Sequence, residues 1–241
     1  MATFRHSGDL GDIIYSLPAV KALGGGTMLL DITGGADDPW ISTRQVNGRT
    51  RFNSQAYDTI RPLLLEQPYI DGVETWNGET VTHDLNLFRQ QFRKSEDRFI
   101  NLAVAHLRAF GLDEKLIDEP WLTLKSPPKM LQRSLIVNRT PRHQSKYHWW
   151  LVFLPQFIDQ AIFMGFEKEH ELFEYTFNCK IPFYKAADAL EIAQILLGSE
   201  QLIGNQSFMM SIAAGLGTCF MQEVYDFAPN CMFMRANAHY M

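Results

Sequence analysis

The chain has 241 residues, of which 46% are hydrophobic and 20% charged, and its net charge is −5. That length fits one large or two small domains, and the composition is globular rather than disordered. The acidic balance offers no global field for nucleic acid or anionic membrane, and no apolar run approaches the roughly 18 residues of a membrane span.

No long apolar stretch follows a basic start at the N-terminus, so no secretion signal is read. The three cysteines, Cys179, Cys219 and Cys231, are odd in number and lack metal-ligand spacing. They are expected to stay reduced in a cytoplasmic protein.

In chain order, residues 2–6 read as a short strand. The run His6-Ser7-Gly8-Asp9-Leu10-Gly11-Asp12 reads as a Gly-rich turn that opens an amphipathic helix over Ile13 to Leu23. Gly8 and Gly11 permit close backbone approach to a ligand, and Asp12 falls where the helix macrodipole favours a carboxylate. Pro18 should kink this helix or shift its start. Thr27 to Thr33 is a buried strand, residues 36–50 a long loop, and Phe52 to Glu66 a helix. Strands over Gly72 to Trp76 and Val81 to Leu87 follow, then a helix over Phe99 to Phe110 closed by Gly111.

Lys125 to Gln132 is the expected linker, because Pro127-Pro128 cannot continue regular structure. Beyond it strands and helices alternate. Strands are expected over Ser134 to Asn138, Ala161 to Met164, Lys180 to Phe183, Gln201 to Ile203 and Thr218 to Gln222. Helices are expected over Glu167 to Phe177, Ala187 to Leu197 and Phe208 to Leu216. Alternation at this pitch implies an α/β fold with parallel sheets and right-handed crossovers. Two Rossmann-like halves result, 1–126 and 127–222, with a tail over 223–241 that could fold back over the first.

Each half places a polar turn at the carboxyl end of a strand, where open α/β sheets bind ligands. In the second half the turn is Gly204-Asn205-Gln206-Ser207, with Ser207 as N-cap of the helix that follows. The loop after the strand ending at Asn138 carries Arg139, Arg142 and Lys146, suited to phosphate or simply a solvated basic loop.

Three segments resemble glycosyltransferase family 9, the lipopolysaccharide heptosyltransferase group. The run Gly11-Asp12-Ile13-Ile14-Tyr15-Ser16-Leu17-Pro18-Ala19 resembles its first-strand motif. Ile203-Gly204-Asn205-Gln206-Ser207, with Ile212-Ala213-Ala214-Gly215-Leu216-Gly217, resembles its donor loop and helix. Ile162 through His170 resembles a strand-to-helix turn of its second domain.

The resemblance implies the GT-B architecture: two Rossmann-like domains facing a central cleft, with a nucleotide-diphosphate sugar held mainly by the second. It also implies transfer without a metal or other cofactor, and Asp12 as the base. Two positions depart from the family pattern. Gln206 stands where the family usually has Asp, and Ser211 where it has His. The chain is also shorter than typical members, chiefly in the first domain, which leaves the hydroxyl acceptor open.

Glycosyl transfer needs a base for the acceptor hydroxyl, positive groups for the leaving diphosphate and a pocket for the nucleoside. Asp12 is either that base or a helix-terminal carboxylate without chemistry; Asp9 is its rival and reads as a turn residue. Gly11, Arg139, Arg142, Lys146, Gly204, Asn205, Gln206 and Ser207 are the donor and phosphate candidates. Gly165, Glu167 and Glu223 are the nucleoside candidates, though Glu167 equally suits the N-terminus of its own helix. His6 and His83 read as structural, and Trp149-Trp150 as domain-junction packing or a sugar platform.

The expected function is a metal-independent, inverting glycosyltransferase, with a non-catalytic nucleotide-sugar binder of the same fold as the alternative. No G-x-G-x-x-G follows the first strand, which disfavours a dinucleotide oxidoreductase, and no P-loop, zinc signature or nucleophile elbow is present.

Overall fold

The computed structural model describes residues 1–32, 52–92, 97, 99–145 and 149–241. Strand β1 (Thr3–His6) leads into helix α1 (Leu10–Ala22), which starts earlier than its apolar pattern implies, so Gly11 and Asp12 lie in its first turn. Every residue from Ile13 to Val20 is buried, because α1 is flanked on two sides by other helices. It is therefore a core helix rather than an amphipathic one. Strand β2 (Gly26–Leu30) follows; the long loop expected over 36–50 lies outside the described residues.

Helix α2 (Ser54–Glu66) is capped by Asn53, whose Oδ1 accepts from the Ala56 amide at 2.9 Å. After β3 (Ile70–Thr75), β4 is only His83–Asp84. The expected strand over 81–87 ends early because Asp84 Oδ1 accepts from the Asn86 amide at 3.0 Å and starts a 3-10 turn over Leu85–Phe92. Helix α3 (Leu102–Ala109) packs on α1. The first sheet is parallel, in the order β3-β2-β1-β4.

The connecting segment is tied down along its length. The amides of Trp121 and Leu122 both donate to Gly215 O at 2.9 Å, and Glu66 accepts from Ser126 Oγ at 2.6 Å. The second half runs β5 (Leu135–Asn138), α4 (Trp149–Phe157), β6 (Ala161–Met164), α5 (Glu167–Phe177), β7 (Phe183–Tyr184) and α6 (Ala189–Gly198). It continues with β8 (Gln201–Asn205), α7 (Phe208–Leu216), β9 (Phe220–Glu223) and β10 (Ala238–Tyr240).

All neighbours in this sheet pair in parallel, in the order β10-β9-β8-β5-β6-β7. The chain enters at β5, builds outward to β7, then returns to the other side of β5 with β8. The strand order therefore reverses between β5 and β8, where ligands bind in open α/β sheets.

One hydrophobic core runs through both halves. It joins Phe4, Ile13, Leu17 and Leu64 to Ala193, Met210, Ile212 and Phe233. Helix α1 packs on α7, and α2 on α6. A smaller core, centred on Val137, Phe163, Trp150 and Phe173, fills the far face of the second sheet. Trp150 belongs there, against Phe173 and Phe177, while Trp149 is exposed and stacks on Phe153. Neither ring sits at the junction of the halves, contrary to the sequence expectation. The junction is filled instead by Trp121, Tyr15 and Phe233.

The tail touches both halves before it enters the second sheet as β10. Leu102 N donates to Asn230 O at 2.8 Å, Phe233 stacks on Tyr15, and Arg235 donates to the carbonyls of Ile117 and Ala214.

Candidate functional site

The reversal between β5 and β8 puts the carboxyl ends of two strands side by side, with a close approach between them. A Cβ on Gly204 would lie 2.1 Å from Asn138 O, so a side chain there would force the strands apart. Asn205, fully buried, holds the loop that leaves β5. Its Oδ1 accepts from Thr140 N at 2.9 Å, and its Nδ2 donates to the carbonyls of Thr140 and Arg142.

Glu223, at the end of β9, anchors the same loop from the other side. Arg139 donates to it through Nε at 2.7 Å and Nη2 at 3.0 Å. Ser145 N and Trp150 Nε1 each add a bond at 2.8 Å. A carboxylate has about four acceptor sites, and the chain itself fills them. Glu223 and Arg139, expected at ribose and diphosphate, are thus spent on each other and on shaping the loop. Among the described residues of this loop Arg142 is the exposed cation; Lys146 lies outside them.

Helix α7 starts at this crevice. Ser207 caps it, its Oγ accepting from Met210 N at 3.3 Å. Gln206 turns away from the helix: Nε2 donates to Ala228 O at 2.9 Å and Oε1 accepts from Tyr225 N at 2.8 Å. It fixes the start of the tail. Ser211 Oγ donates to Phe208 O within its own helix at 2.6 Å.

The first turn of α1 meets this end of α7 directly. A Cβ on Gly11 would sit 3.8 Å from Ser211 Oγ and 4.0 Å from Phe208 Cα. Gly8 lies between the His6 ring and the Asp12 carboxylate, with a Cβ there 2.5 Å from His6 Cε1 and 2.9 Å from Asp12 Oδ2. Glycine is needed for that carboxylate to fold back over the turn. Gly8 N donates to His6 Nδ1 at 2.8 Å, so His6 shapes the loop that carries Asp12. An ion pair among the described residues crosses from this turn to the second half: Arg142 Nη1 to Asp9 Oδ2 at 3.3 Å.

Beneath Asp12 the junction is buried, with Tyr15, Cys231 and Phe233 packed there. Burial pushes the Tyr15 hydroxyl well above its usual range, with the neighbouring Cys231 adding to the effect. Burial raises the Cys231 thiol to about 11, and hydrogen bonds from Gln206 and Tyr15 only partly offset it. Both groups stay neutral at pH 7.

His6 and His106 are fully buried and stacked with Phe88. Burial holds both well below the ordinary histidine range. For His6 the charges of His106 and Arg89 add to it; for His106 that of Arg89 does, while the Asp12 backbone works slightly the other way.

The remaining expected residues lie at the next strand end. Gly165 follows β6, where a Cβ would meet Glu169 Oε2 at 2.9 Å and Asn138 Nδ2 at 3.0 Å. Glu167 is exposed in the first turn of α5, and Glu169 accepts from Phe166 N at 3.0 Å. Sequence reading missed the stack of His143 on Tyr225, centroids 5.5 Å apart, and the neighbourhood of Asp12 with Tyr15 and Cys231. No local pattern could reveal either, since His143 is distant in sequence from Tyr225, and Cys231 from Asp12 and Tyr15. Among the described residues no group of three or more His, Cys, Asp or Glu could hold a metal ion, and no helix is long and apolar enough to cross a membrane.

Compared with solved structures, the whole chain superposes on a family 9 glycosyltransferase from Veillonella parvula DSM 2008, with a TM-score of 0.60, 11% identity and 85% of that chain covered. Its fold is that of the family 9 glycosyltransferases. The E. coli ADP-heptose lipopolysaccharide heptosyltransferase II gives a TM-score of 0.56 at 13% identity, over 100% of this chain and 90% of the other. TibC, an iron-containing dodecameric heptosyltransferase from enterotoxigenic E. coli, was solved with ADP-D-β-D-heptose. It gives a TM-score of 0.61 at 13% identity over 98% of this chain, which spans 61% of TibC. No protein-family model and no curated protein matches the sequence. The two parallel sheets and the switch-point crevice are thus a GT-B-like arrangement.

Proposed function

We propose that the chain is a cytoplasmic, metal-independent, inverting glycosyltransferase, a divergent relative of family 9. It moves a sugar from a nucleotide-diphosphate sugar to a hydroxyl acceptor. Residues 1–126 form the acceptor side, 127–222 the donor side, and 223–241 the tail that joins them. The observation that carries this reading is the close approach of Gly11, beside Asp12, to Phe208 and Ser211 in the first turn of α7, in a fold shared with family 9 glycosyltransferases.

The chemistry follows from that approach. The diphosphate sits at the α7 N-terminus, against the Ser207 turn and the backbone at Gly11, with Arg142 and Lys146 meeting its charge. The nucleoside docks at the turn after β6, beside Gly165 and Glu167. Asp12 takes the proton of the acceptor hydroxyl as that oxygen bonds to the anomeric carbon. The bond from carbon to phosphate oxygen breaks on the opposite face, and the nucleoside diphosphate leaves with the electron pair. Asn205, Arg139 and Glu223 hold the loop in place.

A second reading, a nucleotide-sugar binder without transfer, has its own support. Gln206 and Ser211, where the resembled family carries Asp and His, both spend their polar atoms inside the chain.

A thermal-shift screen of ADP-, GDP-, UDP- and CDP-sugars, with Mg²⁺ or EDTA, tests the proposal, since a ligand of the folded state raises the midpoint. One nucleotide class should stabilise equally in EDTA. Asp12→Ala should keep that shift and abolish sugar transfer. Binding without transfer in the unaltered protein would favour the binder, and no shift at millimolar concentration would overturn both readings.

A further inference from the structure

Arg142 and Asp9 form an ion pair between the halves, and its construction is uneven. The Arg142 backbone is fixed, since its carbonyl accepts from Asn205 Nδ2 and from Thr140 Oγ1. Its side chain is more than half exposed and extends to Asp9, with Nη1 3.3 Å from Oδ2. Asp9 is the N-cap residue of α1, yet its side chain makes no capping bond to the helix. The usual use of an aspartate there is thus forgone, and the carboxylate meets the one exposed arginine of the opposite loop.

An exposed carboxylate is a weak holder of a guanidinium. A diphosphate carries more charge and accepts the fork through two oxygens. We propose that Asp9 is a positioning residue that competes with the donor diphosphate for Arg142. It keeps the guanidinium extended over the crevice and sets the anionic charge a ligand must bring to displace it. The inference rests on the glycosyltransferase reading and deepens it. Asp9 should disfavour singly charged anions and nucleoside monophosphates, which cannot outcompete a carboxylate already in place, and admit diphosphates.

The test is calorimetric titration of ADP, GDP, UDP, CDP, the matching monophosphates and inorganic pyrophosphate into four proteins: unaltered, Asp9→Asn, Arg142→Ala and the double variant. Asp9→Asn should tighten diphosphate binding about two- to five-fold, the range an exposed ion pair allows, and tighten monophosphates by more. Arg142→Ala should weaken diphosphate binding, and in its background Asp9→Asn should change nothing. A tightening that persists without Arg142 would mean only a general field effect and would overturn the proposal. So would an Asp9→Asn protein that binds diphosphates no more tightly than the unaltered one while keeping its circular dichroism and melting midpoint. If none of the four proteins binds any nucleotide or pyrophosphate, the glycosyltransferase reading fails with it. Binding to the unaltered protein without the Asp9 effect sinks only this inference.

Discussion

The indole Nε1 of Trp121 donates to the carbonyl of Ile14 at 3.1 Å, deep in the junction between the halves. Ile14 is four residues before Pro18, and a proline has no N–H to give that carbonyl. The helix runs unbroken from Leu10 to Ala22 because a side chain from the connecting segment replaces the missing donor. Burial of α1 and docking of that segment are thus one event.

Trp121→Phe should therefore cost about 1–3 kcal/mol beyond its lost volume, the price of an unpaired buried carbonyl. In a Pro18→Ala background the new amide can take Ile14 O, and the penalty should shrink by about 1 kcal/mol. Urea denaturation of the four proteins reads this directly. Equal penalties in both backgrounds would mean that the indole contributes packing alone.

Glu223→Gln should destabilise the protein by roughly 3–5 kcal/mol, because it strands the Arg139 guanidinium in a buried site. Glu223 has no exposed surface and Arg139 little. Adding Arg139→Gln should recover part of the loss. If Glu223→Gln melts with the unaltered protein and instead weakens nucleotide binding, Glu223 reads the ribose after all.

Much of this arrangement was legible in the sequence, and the reasons for the misses are physical. The parallel second sheet followed from alternating apolar runs, and the Ser207 cap from a hydroxyl before a helical pattern. Both are local signals. Helix α1 reads as amphipathic because its own residues do not reveal that α3 and α7 cover it on two sides. Strand β10 was missed because three residues, Ala238–Tyr240, carry no period; only their pairing with β9 makes them a strand. The same limit applied at the site. Arg139, Glu223 and Gln206 were rightly placed at strand ends, but their chemistry is decided by partners distant in sequence.

Gly204→Ala should break the crevice by geometry alone. Its added methyl meets Asn138 O at 2.1 Å, and the obstacle is backbone that cannot rotate away. Overpacking of this kind costs about 1–3 kcal/mol. Amide exchange at Asn138 to Thr140 and at Asn205 should quicken more than at the first sheet. Uniform exchange, with an unchanged midpoint, would show that the strands have slack.

Phe233→Ala removes the ring lying between Tyr15 and Trp121 and should cost about 3–5 kcal/mol. Because the core is continuous through both halves, unfolding followed by tryptophan fluorescence and by far-ultraviolet dichroism should coincide in the unaltered protein. In Phe233→Ala the two transitions should separate as the halves lose their shared centre. Coincident curves in the variant would place the coupling in the α1–α7 and α2–α6 contacts instead.

Acid should weaken the fold in a window set by its two buried histidines. His6 and His106 are held well below the ordinary range, so the folded chain keeps them neutral where the unfolded chain, near pH 6.5, takes up protons. Stability is then level above about pH 7 and falls as pH drops through 6.5, by at most about 1.4 kcal/mol per pH unit for each histidine. The carboxylates of Glu66, Glu174 and Glu191 are shifted down, chiefly by hydrogen bonds from Ser126, Lys180 and Lys129. Their contribution is lost only as pH falls below about 4.5, which separates the two effects. His106→Leu should remove one proton from the linkage and halve the slope of urea stability between pH 6 and 5, whatever it does to the absolute value. An unchanged slope would mean that the imidazoles already gain their protons in the folded state, and that the stack with Phe88 is not as dry as its burial implies.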